Sequence, residues 1–167
     1  MKLKYIIPML IIFFITGCSS KTITYSPPKK HHSYTLKPYK VLGRWYYPRY
    51  VSKGEVFRGV SSWYGPNFHG KLTANGEIYN MYAYTAANKI MPFGTIVKVT
   101  NLNNNKSVIV RINDRGPFMK ERILDLSYVA GKKIGLNKTG TAPVKIVVLK
   151  TPKFKHKYRK SKKKMVE

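Results

Sequence analysis

Two runs of β-branched residues with a short polar connection between them limit the folds open to this chain more than any other feature. The runs cover residues 95–100 and 107–113, and the connection, 101–106, is rich in asparagine. Because β-branched side chains favour strands and Asn favours turns, this segment predicts a β-hairpin. Two further segments, 144–149 and 59–65, predict additional strands. The chain is therefore expected to contain a small and mostly local sheet.

Helical patterns are shorter than the strand patterns. Apolar residues at helical spacing predict a helix over 126–134, ended by Gly135, with Asp125 or Ser127 as its N-cap. A second helical turn is expected over 84–89. With 167 residues the chain has room for about one domain. Short strands with one or two short helices favour a mainly β fold, specifically a closed β barrel.

The N-terminus has the pattern of an export signal. A basic start precedes an apolar run of 11 residues, 5–15, which is too short to span the ~30 Å hydrocarbon core of a bilayer. The run leads into small residues and Cys18, which resembles a bacterial lipobox, so 1–17 is predicted to be a lipoprotein signal peptide and Cys18 to be lipidated. The alternative is an ordinary signal peptide, or a short uncleaved anchor with an incidental cysteine. Ser19 after the cysteine favours the periplasmic face of the outer membrane, if the source has two membranes.

Charge divides the rest of the chain into three parts. Residues 18–58 carry nine Lys and Arg and one acid, and they predict a basic tether. Its far part, 39–48, is aromatic enough to lie against the domain, so the boundary is placed loosely between 39 and 59. Residues 59–149 hold 12 basic and 4 acidic side chains and form the predicted domain. The last part, 150–167, has nine basic residues within its first 15 positions, a pattern typical of a solvated, disordered tail.

Composition excludes several classes of protein. A hydrophobic content of 43% with 13 Tyr, 7 Phe and 2 Trp is too high for a wholly disordered basic chain, despite a net charge of +26. One cysteine and four histidines make neither a disulfide scaffold nor a zinc-type cluster, so no metal or cofactor is expected. Export argues against nucleic acid as a partner of the tail, which leaves contact with anionic lipid or another envelope polyanion, or no partner at all.

Few groups in the predicted domain could perform acid-base chemistry. Its carboxyl groups are Glu77, Asp114, Glu121 and Asp125. Asp114 follows a predicted strand, where it could line a groove or form a turn, and Asp125 fits a helix cap. Glu77 after an Asn-Gly turn and Glu121 among basic neighbours both fit the solvated surface. Aromatic side chains such as Trp63 could stack on sugars or belong to the core. These residues alone do not identify an enzyme.

Six short motifs follow one another within the predicted domain: WYGPNFHG at 63–70, TANGE at 73–77, TAANK at 85–89, VTNL at 99–102, RINDRGP at 111–117 and DLS at 125–127. In order and spacing, over about 90 residues, they resemble the rare lipoprotein A family. The resemblance implies a six-stranded double-psi β barrel in an envelope lipoprotein that binds peptidoglycan glycan strands. It further implies an endolytic lytic transglycosylase that forms 1,6-anhydroMurNAc ends. Several members carry a C-terminal SPOR domain, which is expected to be absent here because 18 residues follow Leu149.

The resemblance also assigns roles to residues. It implies that Asp114 is the catalytic acid and then the base, with Glu77 as a second functional carboxylate and Asp125 as the competing candidate for the acid. The residues expected to bind glycan are Asn88, Trp63, Tyr64, Asn113, Arg115 and Thr73. Active members resemble Thr-Ala-Ala-His where this chain has Asn88, and an amide does not titrate. An expansin-like, non-catalytic glycan-binding lipoprotein is therefore the alternative function.

Overall fold

A closed β barrel of six strands dominates the computed structural model, which describes residues 35–153. Its strands are β3 (Val56–Trp63), β4 (Thr85–Ala87), β5 (Ile96–Asn101), β6 (Ser107–Asp114), β7 (Arg122–Leu126) and β8 (Ala142–Lys150). In order around the barrel they are β3, β7, β4, β6, β5 and β8. The pairs β3/β7 and β4/β6 are parallel, whereas the remaining neighbours are antiparallel. The mainly β, six-stranded barrel expected from the sequence is confirmed.

The core fills the barrel because alternate side chains of the long strands point inward. Along β8, Val144, Ile146 and Val148 are buried and their neighbours are more exposed, and β5 and β6 alternate in the same way. This period of two is the burial pattern of a strand with one face against a core. The predicted hairpin is thus confirmed as β5 and β6, with Thr100 opposite Ser107 at its closed end.

Two short helices follow β7. Helix α1 covers Tyr128–Lys133 and α2 covers Leu136–Thr139. The Ser127 hydroxyl accepts a hydrogen bond from the Ala130 amide and so forms the N-cap of α1, whereas Asp125 lies within β7. The predicted helix over 126–134 therefore begins two residues later than expected, because Leu126 is paired between β3 and β4. Residues Pro66–Phe68, after β3, form a 3-10 turn.

The helical turn predicted over 84–89 is wrong. Residues Thr85–Ala87 form β4, a strand of three buried residues. It pairs with β6 on one side and with β7 on the other. Because both faces are covered, β4 has no alternation of apolar and polar residues to distinguish it from a buried helical turn.

The described part of the predicted tether is folded. Strands β1, Tyr39–Val41, and β2, Arg44–Tyr46, form an antiparallel hairpin, Val51 belongs to the core, and β3 already begins at Val56. The structure therefore differs from a tether that extends to residue 58, because aromatic side chains of this segment pack on the barrel. The predicted signal peptide, Cys18 and most of the Lys-rich tail lie outside the described residues. Between residues 35 and 153 no helix has the length and apolar character needed to cross a membrane.

Candidate active site around Asp114

Asp114 lies at the end of β6, where a backbone frame fixes one of its two carboxylate oxygens. Its Oδ1 accepts hydrogen bonds from the Ala74 amide at 2.8 Å and from the Arg115 amide at 2.7 Å. Its Oδ2 accepts from the Tyr64 hydroxyl at 3.2 Å. Because both donors to Oδ1 are amide N–H groups, a proton on the carboxyl group is accommodated at Oδ2. Asp114 is therefore oriented by its frame and can exchange a proton through one defined oxygen.

Tyr64 is held beside Asp114 by the barrel and by other aromatic rings. It follows β3, its amide donates to the Leu126 carbonyl at 2.8 Å, and its ring contacts Phe68 and Tyr79 at centroid distances of 5.2 and 5.4 Å. Burial, and then the nearby charge of Asp114, raise the pKa of Tyr64 well above its usual range. The hydroxyl thus remains a neutral donor at physiological pH, and the glycan contact predicted for Tyr64 stays a prediction.

Glu77 is buried in an ion pair, so the interpretation of a solvated charge is wrong. The Arg111 guanidinium donates to Oε1 at 2.7 Å and to Oε2 at 2.8 Å, in a bidentate contact. The amide groups of Asn75 and Asn113 also donate to the carboxylate, at 2.8 and 3.0 Å. Only 8% of Glu77 is exposed. These four donors make Glu77 an anchor that joins the 73–77 loop to β6.

The anchored loop supplies the Ala74 amide to Asp114. Thr73 donates from its hydroxyl to the Asn75 side chain at 2.6 Å, and the Asn75 oxygen accepts from the Glu77 amide at 3.1 Å. Thr73 and Asn113 were both predicted to bind glycan, yet both are buried, and both make hydrogen bonds within this loop or to it. Their observed hydrogen bonds stabilise the loop that carries the Ala74 amide. The role of Asn75 was not predicted, although the Asn-Gly pair that signals its turn is visible in the sequence.

Asp125 is a second buried carboxylate, but it belongs to a different cluster. Its Oδ1 accepts from the Ser62 hydroxyl at 2.5 Å, and that hydroxyl accepts from the Arg122 guanidinium at 2.8 Å. Burial raises the pKa of Asp125. The same residue of β4, Ala87, pairs with Asp114 on one side and Asp125 on the other. The two backbones are therefore two strand spacings apart, roughly 10 Å.

Asn88 uses its side chain to hold the turn that follows β4. Its Oδ1 accepts from the amides of Ile90 and Met91 at 2.9 and 2.8 Å, and its Nδ2 donates to the Ile123 carbonyl at 2.9 Å. Only 5% of the residue is exposed. The predicted glycan contact through Asn88 therefore competes with three existing hydrogen bonds. The side chain borders a cavity of about 170 Å³ that is separate from the one beside Asp114.

Trp63 and Arg115, also predicted to bind glycan, make intramolecular contacts. Trp63 packs edge-on against Tyr128 and lies so close to Gly131 of α1 that a Cβ there would be 2.7 Å from the Trp63 Cβ. Arg115 donates to the carbonyls of Thr35 and Met91, and burial lowers its pKa to about 10, which leaves it charged at neutral pH. These contacts favour structural roles for the two side chains.

A cavity of about 460 Å³ opens beside Asp114. Its lining combines the Asp114 carboxylate with aromatic and aliphatic side chains from the barrel loops and the β1–β2 hairpin. The lining residues are Lys37, Pro38, Tyr39, Val41, Ala74, Phe93, Asp114, Arg115 and Phe118. The aromatic content of residues 39–48 predicted that this segment lies against the domain, but not that Tyr39 and Val41 line this cavity. Among residues 35–153, no group of three or more His, Cys, Asp or Glu side chains could hold a metal ion.

The closed six-stranded barrel, in which the pairs β3/β7 and β4/β6 are parallel, fits the double-psi β-barrel class. The family described as "Lytic transglycolase" matches residues 45–146 of this chain. The chain therefore belongs to this double-psi β-barrel family, that of rare lipoprotein A, which confirms the resemblance seen in the sequence.

Curated relatives carry the name "Endolytic peptidoglycan transglycosylase RlpA". The protein from Helicobacter pylori is 62% identical over 115 residues, 69% of this chain and 36% of its own length. The protein from Campylobacter jejuni is 54% identical over 74% of this chain and 45% of its own length. The protein from Vibrio cholerae is 42% identical over 87% of this chain and 63% of its own length. This chain thus spans between about one third and two thirds of the relatives it matches. Among solved structures, the Streptomyces papain inhibitor has a TM-score of 0.49 at 18% identity, over 60% of this chain and 99% of that chain, which is too low to bear on function.

Proposed function

We propose that this protein binds peptidoglycan glycan strands and cleaves the MurNAc-GlcNAc bond as an endolytic lytic transglycosylase, forming 1,6-anhydroMurNAc ends. Family membership and the names of the relatives support the reaction class. The observation that carries the proposal is the Asp114 carboxylate, fixed at Oδ1 by two amides and facing the Tyr64 hydroxyl at Oδ2, in the lining of the larger cavity. Asp125 lines neither of the two cavities described above.

One carboxyl group is sufficient for this reaction. Protonated Oδ2 of Asp114 donates its proton to the glycosidic oxygen as the bond to C1 of MurNAc breaks. The resulting carboxylate then accepts the proton of the MurNAc 6-hydroxyl as O6 attacks C1 and closes the anhydro ring. No water enters the product, and Asp114 ends protonated as it began. The Tyr64 hydroxyl stabilises the carboxylate between the two steps by donating to Oδ2.

The test is the release of muropeptides from purified sacculi by the full chain in detergent, analysed by mass spectrometry. We expect anhydro-ended products from the natural protein and none from Asp114→Asn, with sacculus binding retained. Asp125→Asn is the matched control, because it removes the other buried carboxylate, and it is expected to retain the products. Loss of products in Asp125→Asn but not in Asp114→Asn would contradict the assignment of the acid.

The side-chain contacts of Asn88 favour one alternative, a glycan-binding lipoprotein without turnover. Because the Asn88 amide already holds three backbone groups, this position supplies no proton carrier. The alternative predicts sacculus binding without anhydro ends. It is supported if Asn88→His produces anhydro ends that the natural protein does not, and it is rejected if the natural protein forms them.

We further propose that the protein is exported and lipid-anchored through Cys18, at the periplasmic face of the outer membrane. The support is the N-terminal sequence, a basic start and an apolar run that ends in small residues before Cys18. Incorporation of labelled palmitate by the natural chain, with none in Cys18→Ala, tests lipidation. Fractionation of the two membranes tests the destination. For the Lys-rich tail we propose contact with anionic lipid or another envelope polyanion, measured as vesicle binding that salt abolishes.

A further inference from the structure

The segment 35–46 contributes residues to the lining of the cavity beside Asp114. It lies almost wholly outside the family match, which begins at residue 45. The Thr35 hydroxyl accepts from the Phe93 amide at 2.5 Å, and the Tyr39 hydroxyl donates to the Lys89 carbonyl at 2.8 Å. Both contacts fix the segment to the 88–93 turn that follows β4. The β1–β2 hairpin is thereby attached to a turn that also contacts Asp114, since the Asn88 amide donates to the Asp114 carbonyl at 3.1 Å.

Arg115, the residue after Asp114 in the chain, joins this segment to the site. Its guanidinium donates to the Thr35 carbonyl at 2.6 Å and to the Met91 carbonyl at 2.7 Å, and it lies over the Phe93 ring at 3.9 Å from the centroid. Because an Arg side chain donates in a fixed planar geometry, these contacts define the position of Thr35 relative to the Asp114 backbone. The position of the hairpin relative to the Asp114 carboxylate is therefore fixed.

Aromatic contacts fix the hairpin from a second direction. Tyr39 stacks on Tyr46 across the hairpin at 5.3 Å, and Phe118, from the loop after Asp114, contacts Tyr46 at 5.4 Å. Tyr39, Val41 and Phe118 all line the cavity. The hairpin side of the cavity is thus a packed aromatic and aliphatic surface, next to the single carboxylate of the lining.

We propose that the β1–β2 hairpin forms one wall of a saccharide-binding subsite beside Asp114, which receives one N-acetylhexosamine ring of the glycan next to the bond that is cleaved. The cavity of about 460 Å³ lies within the roughly 300–1,000 Å³ of small-molecule sites. Its apolar side chains suit the C–H faces of a pyranose ring. The Asp114 carboxylate at the reacting end, with Lys37 and Arg115 also in the lining, supplies the polar groups that set the orientation. The subsite deepens the proposed transglycosylase and rests on it.

Val41 allows a direct test, because it lines the cavity while Leu42, next to it in the hairpin turn, is 88% exposed. We expect Val41→Trp to fill part of the cavity and to raise the KM for sacculi at least fivefold, with kcat within twofold of the natural value. Leu42→Trp introduces the same side chain without a change of charge and is expected to alter neither constant. Equal KM values for the two variants would overturn the subsite.

A binding measurement separates the subsite from the proposed reaction. The probe is a peptide-free tetrasaccharide of alternating GlcNAc and MurNAc, added to the full chain carrying Asp114→Asn. We expect the backbone amide resonances of Lys37 and of residues 39–41 to shift on titration, and Val41→Trp in that background to weaken binding at least fivefold. If the tetrasaccharide shifts other amide resonances but leaves those of Lys37 and residues 39–41 unchanged, the proposal is overturned, even if Val41→Trp fails to fold. If the natural protein formed no anhydro ends but these shifts occurred, the transglycosylase would fail and the subsite would stand.

Discussion

Replacing Glu77 with Gln separates the structural role of this carboxylate from a catalytic one. The substitution keeps the size of the side chain but puts an NH2 group where a carboxylate oxygen accepts from Arg111 and from one of two Asn amides. The new NH2 group then faces an N–H donor of Arg111 and one of an Asn side chain, and the charge–charge contact between residue 77 and Arg111 is lost. Breaking a fully buried ion pair costs about 3–5 kcal/mol. Because the Arg111 side chain is 30% exposed, we expect a smaller loss of unfolding free energy, about 2–3 kcal/mol.

This loss corresponds to a fall in melting temperature of roughly 10 °C for a domain of this size. Urea unfolding followed by circular dichroism measures the free energy, and anhydro-product release at low temperature measures activity. The folded variant should retain reduced activity, since Glu77 does not contact Asp114 directly but acts through the loop that carries the Ala74 amide and through Asn113, the neighbour of Asp114 in β6. Glu55→Gln is the matched control, because its ion pair with Arg49 is exposed and should contribute less than about 1 kcal/mol. Unfolding of Glu77→Gln within about 1 kcal/mol of the natural protein, with all product lost, would refute the structural role.

Three further changes test other contacts. Because the folded-state pKa of Asp125 is raised, its charged form lowers the stability of the natural protein once pH exceeds the unfolded value of about 3.9. The melting temperature of Asp125→Asn minus that of the natural protein should therefore be larger at pH 7 than at pH 3.5. The same difference at both pH values would contradict the raised pKa. Gly131→Ala should lower the free energy of unfolding, measured in urea, by about 1–2 kcal/mol despite the better helix propensity of Ala, because the new Cβ meets Trp63. Gly65→Ala, where the new Cβ meets open space, should change it by less than about 0.5 kcal/mol. A Gly131→Ala variant more stable than the natural protein would contradict the close approach of Trp63. Tyr64→Phe removes the hydroxyl donor from the site carboxylate and should lower kcat roughly 10- to 100-fold; a natural rate shows that the contact is not used in the reaction.

The sequence predicts best those strands that have one buried and one exposed face. β5, β6 and β8 alternate, so their patterns predict strands that the structure contains. β4 was mistaken for a helical turn because its three residues are all buried and carry no period. The β1–β2 hairpin was assigned to the tether because Pro and Lys dominate its surroundings. Its aromatic residues predicted contact with the domain, but not the contact with Phe118, about 75 residues away in the chain. Long-range contacts of this kind leave no local pattern.

The same limit applies to the candidate site. Asp114 was selected from its family resemblance and its place after a strand, and the structure gives it a defined set of hydrogen-bond donors. One of those donors is the Ala74 backbone amide, which no side-chain pattern encodes. Asn88 was expected to contact glycan because an Asn side chain can both donate and accept, but its amide is used by neighbouring backbone groups. A side chain's type indicates which bonds it can make, whereas the fold determines which bonds remain available.

The pairing of β3 with β8 sets the order in which the barrel can assemble. Ser61 pairs with Ala142 across 81 positions, whereas Thr100 and Ser107 of the β5–β6 hairpin are 7 apart. Closing the longer loop costs about 2 kcal/mol more in chain entropy, so the hairpin forms first and the barrel closes late and slowly. Until β8 has emerged from the ribosome or from a translocation pore, β3 and β5 each lack a neighbour. A protease that meets the chain during that interval encounters open strand edges rather than a closed barrel.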